Sequence, residues 1–231
     1  IFINDSSTDG SLGILENYRE RNPSVKIINM SRKFGFSACL LAGLEHSSGD
    51  VVICMDTDLQ DPPELIPLLL EKWKEGNDVV HTRRIKRLGE NHFKMAITKL
   101  VYRAINTFSN IEIPENVGDY KLLSRRAVDS IVQINEADPF VRGLALWIGY
   151  KQAIVPYERQ QRFRGQTHFS LLRSTDPYRE FIRAMTAHTL KPLYIALFIG
   201  FGVSMGAFVY LVVIVIERLF LDVHLPGWPA L

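Results

Sequence analysis

Asp56 and Asp58, spaced two apart, directly follow the apolar run Val51-Val52-Ile53-Cys54-Met55. A short run of that kind predicts a buried strand. Side chains two apart in extended backbone point the same way, so both carboxylates converge beyond the strand's carboxyl end. Open α/β sheets bind ligands at that edge. Two carboxylates held together repel unless positive charge lies between them. A hard divalent cation is the natural partner, and a nucleotide diphosphate the natural third party. Taken in isolation, an Asp-x-Asp is also the pattern of two solvated turn residues. The strand before it and Pro62-Pro63 after it favour the site.

The surrounding pattern supplies the elements that must position this pair. Strands are expected at Ile1–Ile3, Val25–Asn29, Val51–Met55, Asp78–Thr82, Tyr120–Ser124 and Gln152–Tyr157. Helices are expected over Asp9–Arg21, Ser37–Ser47, Glu64–Lys74, Phe93–Phe108, Arg126–Ile134 and Phe140–Trp147. Arg83–Glu90 reads as a basic, turn-like loop. Alternation of β and α segments argues for an α/β fold with a doubly wound, mostly parallel sheet. The formal net charge of +2 gives no global nucleic-acid signal, so nucleic acid is not an expected partner. Cys39 and Cys54 lie in apolar surroundings and read as reduced, buried thiols rather than a disulfide.

Several ordered segments carry a family likeness. Asp56-Thr57-Asp58-Leu59-Gln60-Asp61-Pro62-Pro63-Glu64 resembles the metal-binding segment of family 2 glycosyltransferases, in particular the polyprenyl-phosphate branch. That branch includes dolichyl-phosphate mannose synthases and bactoprenol glucosyltransferases. Asn4-Asp5-Ser6-Ser7-Thr8-Asp9-Gly10-Ser11 resembles the turn after the family's strand. Ser31-Arg32-Lys33-Phe34-Gly35 and Gly118-Asp119-Tyr120-Lys121-Leu122-Leu123-Ser124-Arg125-Arg126 resemble its later segments. Arg159, Arg162, Gly165 and Thr167 match its basic loop, with His168 where Lys is usual. The resemblance implies a GT-A-like fold. It also implies a strand before Ile1 and a second membrane helix after Leu231, so a chain truncated at both ends.

The resemblance assigns roles residue by residue. Asp58 and Gln60 become direct ligands of Mg²⁺ or Mn²⁺, with Asp56 near the sugar or ribose. Asp5 and Arg32 fall at the nucleotide pocket, and Asp119 becomes the catalytic base or an acceptor-orienting carboxylate. Arg159, Arg162, Arg164 and His168 become contacts for the acceptor phosphate or the donor diphosphate, matching the affinity of guanidinium forks for phosphate oxygens. Each has a plainer reading beside it. Asp5 and Asp9 suit a turn or helix cap, Arg32 a solvated surface charge, and Asp119 an edge carboxylate paired with Lys121 or Arg125. The arginines also suit anionic headgroups. Asn4 and Ser6 depart from the family's usual Asp and Gly; the second matters only if that turn needs a positive φ.

Beyond residue 170 the chain changes character. Tyr178–His188 reads as an amphipathic helix. Pro192–Ile216 carries no charged residue, and as a helix spans about 37 Å, enough for a bilayer core. The sequence divides into a catalytic domain (1–170), a juxtamembrane helix (171–191), a transmembrane helix (192–221) and the start of a turn (222–231). Arg173, Arg179, Arg183 and Lys191 precede the span, which places the catalytic domain on the cytoplasmic face of the inner membrane. Gly202 and Gly206 form a G-x-x-x-G that suits helix packing, either in a homo-oligomer or against a further helix.

The resulting expectation is an inverting, metal-dependent transferase. It would move glucose from UDP-glucose to polyprenyl (undecaprenyl) phosphate, or mannose from GDP-mannose to the same class of acceptor. A non-enzymatic alternative is a membrane-anchored binder of nucleotide sugar or lipid phosphate. A processive polysaccharide synthase would carry Gln-x-x-Arg-Trp and more spans. A P-loop or dinucleotide enzyme would carry a glycine fingerprint; neither fingerprint is present.

Overall fold

The strand Val117–Ser124 is hydrogen-bonded on both sides, and its eight residues organise the sheet. The computed structural model describes residues 1–85, 114, 117–136, 139–159, 176–187 and 189–220, with backbone alone over 176–180. Within these lie β1 (Phe2–Asn4), α1 (Ser11–Arg21), β2 (Ile27–Asn29), α2 (Phe36–Glu45) and β3 (Val51–Cys54). A 3₁₀ turn (Pro63–Leu65) leads into α3 (Ile66–Lys74), then β4 (Val79–Arg84) and β5 (Val117–Ser124). The remainder are α4 (Arg125–Gln133), α5 (Val141–Trp147), β6 (Gln152–Tyr157), α6 (Asp176–Thr186) and α7 (Lys191–Phe220).

The four-stranded sheet has the order β3-β5-β4-β6, and β1 and β2 form a separate parallel pair. β5 is antiparallel to β3 and to β4, while β4 and β6 are parallel. Thus β3, β4 and β6 share one direction and β5 alone opposes them. Segment alternation does not reveal this reversal, because a strand buried on both faces reads the same in either direction. Register places Val52, Leu123 and Val79 side by side, and next to them Ile53, Leu122 and Val80. The pleat then sends alternate residues to opposite faces. Leu123 and Val79 pack against α2, α4 and α5 through Leu44, Val128, Ile131 and Leu144. Leu122, Val80, Tyr120 and Val155 pack against Leu69 of α3. Helices on both faces are the doubly wound arrangement read from the sequence.

Element ends shift for local reasons. The helix after the proline pair begins as a 3₁₀ turn with Pro63 at its start, where a missing N–H costs nothing. Gly76, at φ +87°, follows its end. Ser124 closes β5 and its Oγ accepts from Ala127 N, capping α4. β4 extends through Arg83 and Arg84, which the sequence assigns to a loop; Phe93–Phe108 lies outside the described residues.

α7 belongs to a second unit, residues 189–231. It is 30 residues long, with a window of mean hydropathy 2.5 and none of that window buried. By length and composition it can cross a membrane, with its large apolar side chains covered by lipid.

One buried group on β4 makes folding pH-dependent. His81 is buried, and its Nε2 lies 3.0 Å from Gln152 Oε1. Burial, then the neighbouring Lys121, push its pKa down to about 4. The native state therefore holds His81 neutral where the unfolded chain takes up a proton. Its contribution is complete above pH 6.5 and is lost as pH falls toward 4, at up to about 1.4 kcal/mol per pH unit. Thermal unfolding of the purified protein across this range should show a steeper acid decline for the parent than for His81→Gln. Equal slopes would remove His81 from the account.

Candidate active site

The loop Met55–Pro63 leaves the carboxyl end of β3 and is held from below by two tyrosines. Asp61 is buried, and its Oδ1 accepts a hydrogen bond from Tyr157 Oη at 2.8 Å. Its other oxygen accepts from Asp56 N at 3.4 Å. Arg84 Nε donates to Tyr157 Oη at 3.3 Å, and Tyr120 Oη donates to Pro62 O at 2.9 Å. The two rings meet edge to face with centroids 5.9 Å apart. At the loop's tip Asp58 Oδ1 accepts from Gln60 N at 3.1 Å, and Leu59 takes φ +61°. That left-handed conformation costs a β-carbon residue about 1 kcal/mol or more.

Charge collects where this loop meets β5 and β6. Arg159, just past β6, places Nη2 3.8 Å from Asp56 Oδ2 and 3.8 Å from Asp58 Oδ2. The Asp56 carboxyl is nevertheless pushed up to about 6, first by burial and then by Asp61, Asp119 and Asp58, with Arg159 opposing. Burial is the main reason this carboxyl resists ionising, and the neighbouring carboxylates add to it. Asp56, Asp58 and Gln60 offer an oxygen-only donor set that fits Mg²⁺ or Mn²⁺. Among the described residues no group of three or more His, Cys, Asp or Glu is disposed to hold a metal ion. A diphosphate would supply a cation here with further oxygens.

The reversed direction of β5 brings Asp119 to the same edge. Cys54 pairs with Lys121, so Asp119, two residues nearer the start of β5, stands beyond the carboxyl end of β3. Arg142 of α5 grips it with two prongs, Nε to Oδ1 at 3.2 Å and Nη2 to Oδ2. Lys121 Nζ, with no exposed side-chain surface, lies 3.8 Å from Oδ1. Burial alone would raise the Asp119 pKa; Arg142, Lys121 and Arg84 override it and hold the carboxyl down at about 2. Asp119 is therefore a fixed anion and a weak proton acceptor at neutral pH. Gly118 beside it leaves room for Arg84, whose Nη2 would lie 3.0 Å from an added Cβ.

Asp5 and Arg32 sit on other elements. Asp5, after β1, accepts from Phe34 N at 2.7 Å and Gly35 N at 2.9 Å, one per carboxylate oxygen. Gly35 has φ +94°, a conformation that excludes most side chains. Ser6 has φ +53°, so the turn does hold the positive φ that makes a glycine there useful. Arg32 is exposed, its guanidinium 4.1 Å above the Phe34 ring. Arg162, Arg164 and His168 lie outside the described residues.

The structure therefore joins Asp56, Asp58, Asp119 and Arg159, sets Lys121 beside Asp119 as the plainer sequence reading had it, and adds Asp61, Tyr120, Tyr157, Arg84 and Arg142, which sequence reasoning did not single out. Asp61 and Lys121 lie inside motifs already quoted. Arg142 gave no signal beyond being a cation in an apolar helix.

Residues 1–132 match the family model described as glycosyl transferase family 2. An uncharacterized glycosyltransferase, YkcC, of Bacillus subtilis (strain 168) is 38% identical over 231 residues, spanning 100% of this chain and 71% of the relative. A prophage bactoprenol glucosyl transferase homolog of Escherichia coli (strain K12) is 35% identical, spanning 100% of this chain and 74% of the relative. Among solved structures, glucosyl-3-phosphoglycerate synthase from Mycobacterium tuberculosis, in complex with Mn²⁺, UDP-glucose and phosphoglyceric acid, aligns with a TM-score of 0.49 at 18% identity. That alignment covers 79% of this chain and 64% of the solved one.

The support beneath the loop is open to test. Tyr157→Phe removes the hydroxyl donor to buried Asp61 while keeping the ring. Chemical denaturation should show a loss of roughly 1–3 kcal/mol, the cost of leaving a buried acceptor unmet. Unchanged stability would mean that the Asp61 carboxylate is satisfied without Tyr157.

Proposed function

This chain belongs to glycosyl transferase family 2, and we propose that it transfers a single glucose from UDP-glucose to polyprenyl phosphate, with inversion, at the cytoplasmic face of the membrane. The observation that carries the reading is the meeting of Asp56, Asp58 and Arg159 at one sheet edge, anionic toward a cation and cationic toward phosphate. The bactoprenol glucosyl transferase relative supports the acceptor and the sugar. The apolar α7 and the basic residues before it support the membrane and its face.

Asp56, Asp58 and Gln60 would hold Mg²⁺ or Mn²⁺. Bound there, the cation supplies Lewis-acid neutralisation of the leaving diphosphate. Arg159 binds phosphate oxygens of the donor with its fork. An acceptor phosphate monoester has a second pKa of about 6 and is largely dianionic at neutral pH. Its oxygen attacks the anomeric carbon from the face opposite the diphosphate. The new carbon–oxygen bond forms as the old one breaks, UDP leaves, and no proton need be removed. This suits an Asp119 held at about 2, which would be a poor base. Its part is positioning. Asp119 fixes the half-buried Arg142, and Arg142 binds the anionic acceptor.

The full chain in membranes, given labelled UDP-glucose, polyprenyl phosphate and Mg²⁺ or Mn²⁺, should yield a labelled lipid-extractable product. Asp58→Asn should lower the rate by about 10²-fold or more, the scale of losing electrostatic stabilisation of the leaving group. Product from GDP-mannose instead would replace the sugar and keep the reaction class. Nucleotide binding without transfer from any nucleotide sugar would overturn the enzyme in favour of a binding protein. Arg142→Met should raise KM for the polyprenyl phosphate about tenfold with little change in KM for the donor, the loss of one charge-assisted contact. An equal rise in both would contradict the acceptor role.

A further inference from the structure

We infer that Arg159 makes the Asp56–Asp58 pair selective for a metal–diphosphate complex over the free metal ion. The inference rests on the reading above that these carboxylates hold the divalent cation. One guanidinium nitrogen, Nη2, stands 3.8 Å from an oxygen of each carboxylate. Those separations exceed hydrogen-bond range, so charge rather than directional bonding holds the guanidinium there. Its Nε is buried and has no hydrogen-bond partner among the described residues. A buried donor left unmet is costly, and phosphate oxygens would meet it.

Two consequences follow for a cation approaching these aspartates. Without nucleotide, a divalent ion must share the carboxylates with a guanidinium a few ångströms away, and the like charges repel. The chain also lacks, among its described residues, a third acidic, His or Cys ligand to offset that repulsion. A diphosphate changes both terms. It gives the metal further oxygens and gives Arg159 an anion to bind. Metal and donor then bind as a unit, each raising the other's affinity by one shared factor. Arg159 thereby keeps the pair closed to free metal and turns to the donor when both arrive.

Mn²⁺ binding to the purified full chain in detergent, read by electron paramagnetic resonance with and without saturating UDP, tests this. The parent should bind Mn²⁺ weakly alone and at least about tenfold more tightly with UDP. In Arg159→Met, nucleotide-free Mn²⁺ binding should tighten about tenfold and the enhancement by UDP should shrink. The dependence of UDP affinity on Mn²⁺ must shrink by the same factor, because linkage is reciprocal. Arg159→Gln, a second uncharged replacement, should behave alike, and Arg159→Lys should keep most of the coupling. Asp58→Asn added to Arg159→Met should abolish the gained Mn²⁺ binding. If Arg159→Met and Arg159→Gln leave nucleotide-free Mn²⁺ affinity unchanged while the parent binds Mn²⁺ with UDP through Asp58, the inference fails and the proposed function stands. If the parent binds no Mn²⁺ even with UDP, the metal reading of the site fails and the inference falls with it.

Discussion

Crowding of carboxylates at one edge of the sheet is the constraint on which this site depends. Asp56 feels Asp61, Asp119 and Asp58 there. Each is stabilised by different means. Asp61 is buried and takes a neutral hydroxyl from Tyr157. Asp119 is half-buried against two cations, Arg142 and Lys121. Asp56 and Asp58 both face the Arg159 guanidinium at a distance. On the proposed reading the third arrangement takes the metal and the donor diphosphate, while Arg142 of the second takes the acceptor phosphate.

That division depends on the direction of β5. Were it parallel to β3, Asp119 would fall at the opposite edge, away from Asp56. Running antiparallel, β5 delivers Asp119 and Lys121 to one face and Tyr120 to the other, within a single extended segment. Lys121 shows the cost. Its ammonium is fully buried with no hydrogen-bond partner among the described residues, and burial pulls its pKa down against the opposing pull of Asp119. Asp119 needs compensating charge to stay ionised at about 2, and Lys121 needs a carboxylate to stay charged. Removing Asp119 would leave the Lys121 charge buried beside Arg142, and it is the Arg142–Asp119 pair that joins α5 to β5.

Much of this was legible in the residues. The Asp-x-Asp after an apolar run located the loop, and the flanking prolines fixed where α3 begins. Near-continuous burial in β4 and β5, with Val79 and Val80 facing different cores, is what alternating α and β segments require. The direction of β5 was not legible, because apolar pattern carries no polarity along the strand. Nor was the Arg142–Asp119 pair, which joins residues 23 apart through tertiary packing that no local spacing encodes. Tyr157 under Asp61 is the same case across 96 residues. Ser6 differs in kind. The sequence raised the question of a positive φ, and only the backbone at +53° answers it.

α7 leaves a long apolar surface exposed along 30 residues, which water disfavours and a bilayer would cover. A substrate with a charged phosphate on a long apolar chain has the same division. On the proposed reading the catalytic domain needs to recognise only the head of such an acceptor, because the bilayer already holds its tail. This accounts for a site built from charge, with Arg142 and Arg159 as its cations and no large apolar pocket required at the reacting end. Membrane confinement would also raise such an acceptor's effective concentration at the surface, so modest head-group affinity would suffice. On the proposed reading, specificity for the acceptor class comes from where the enzyme resides as much as from what its side chains touch.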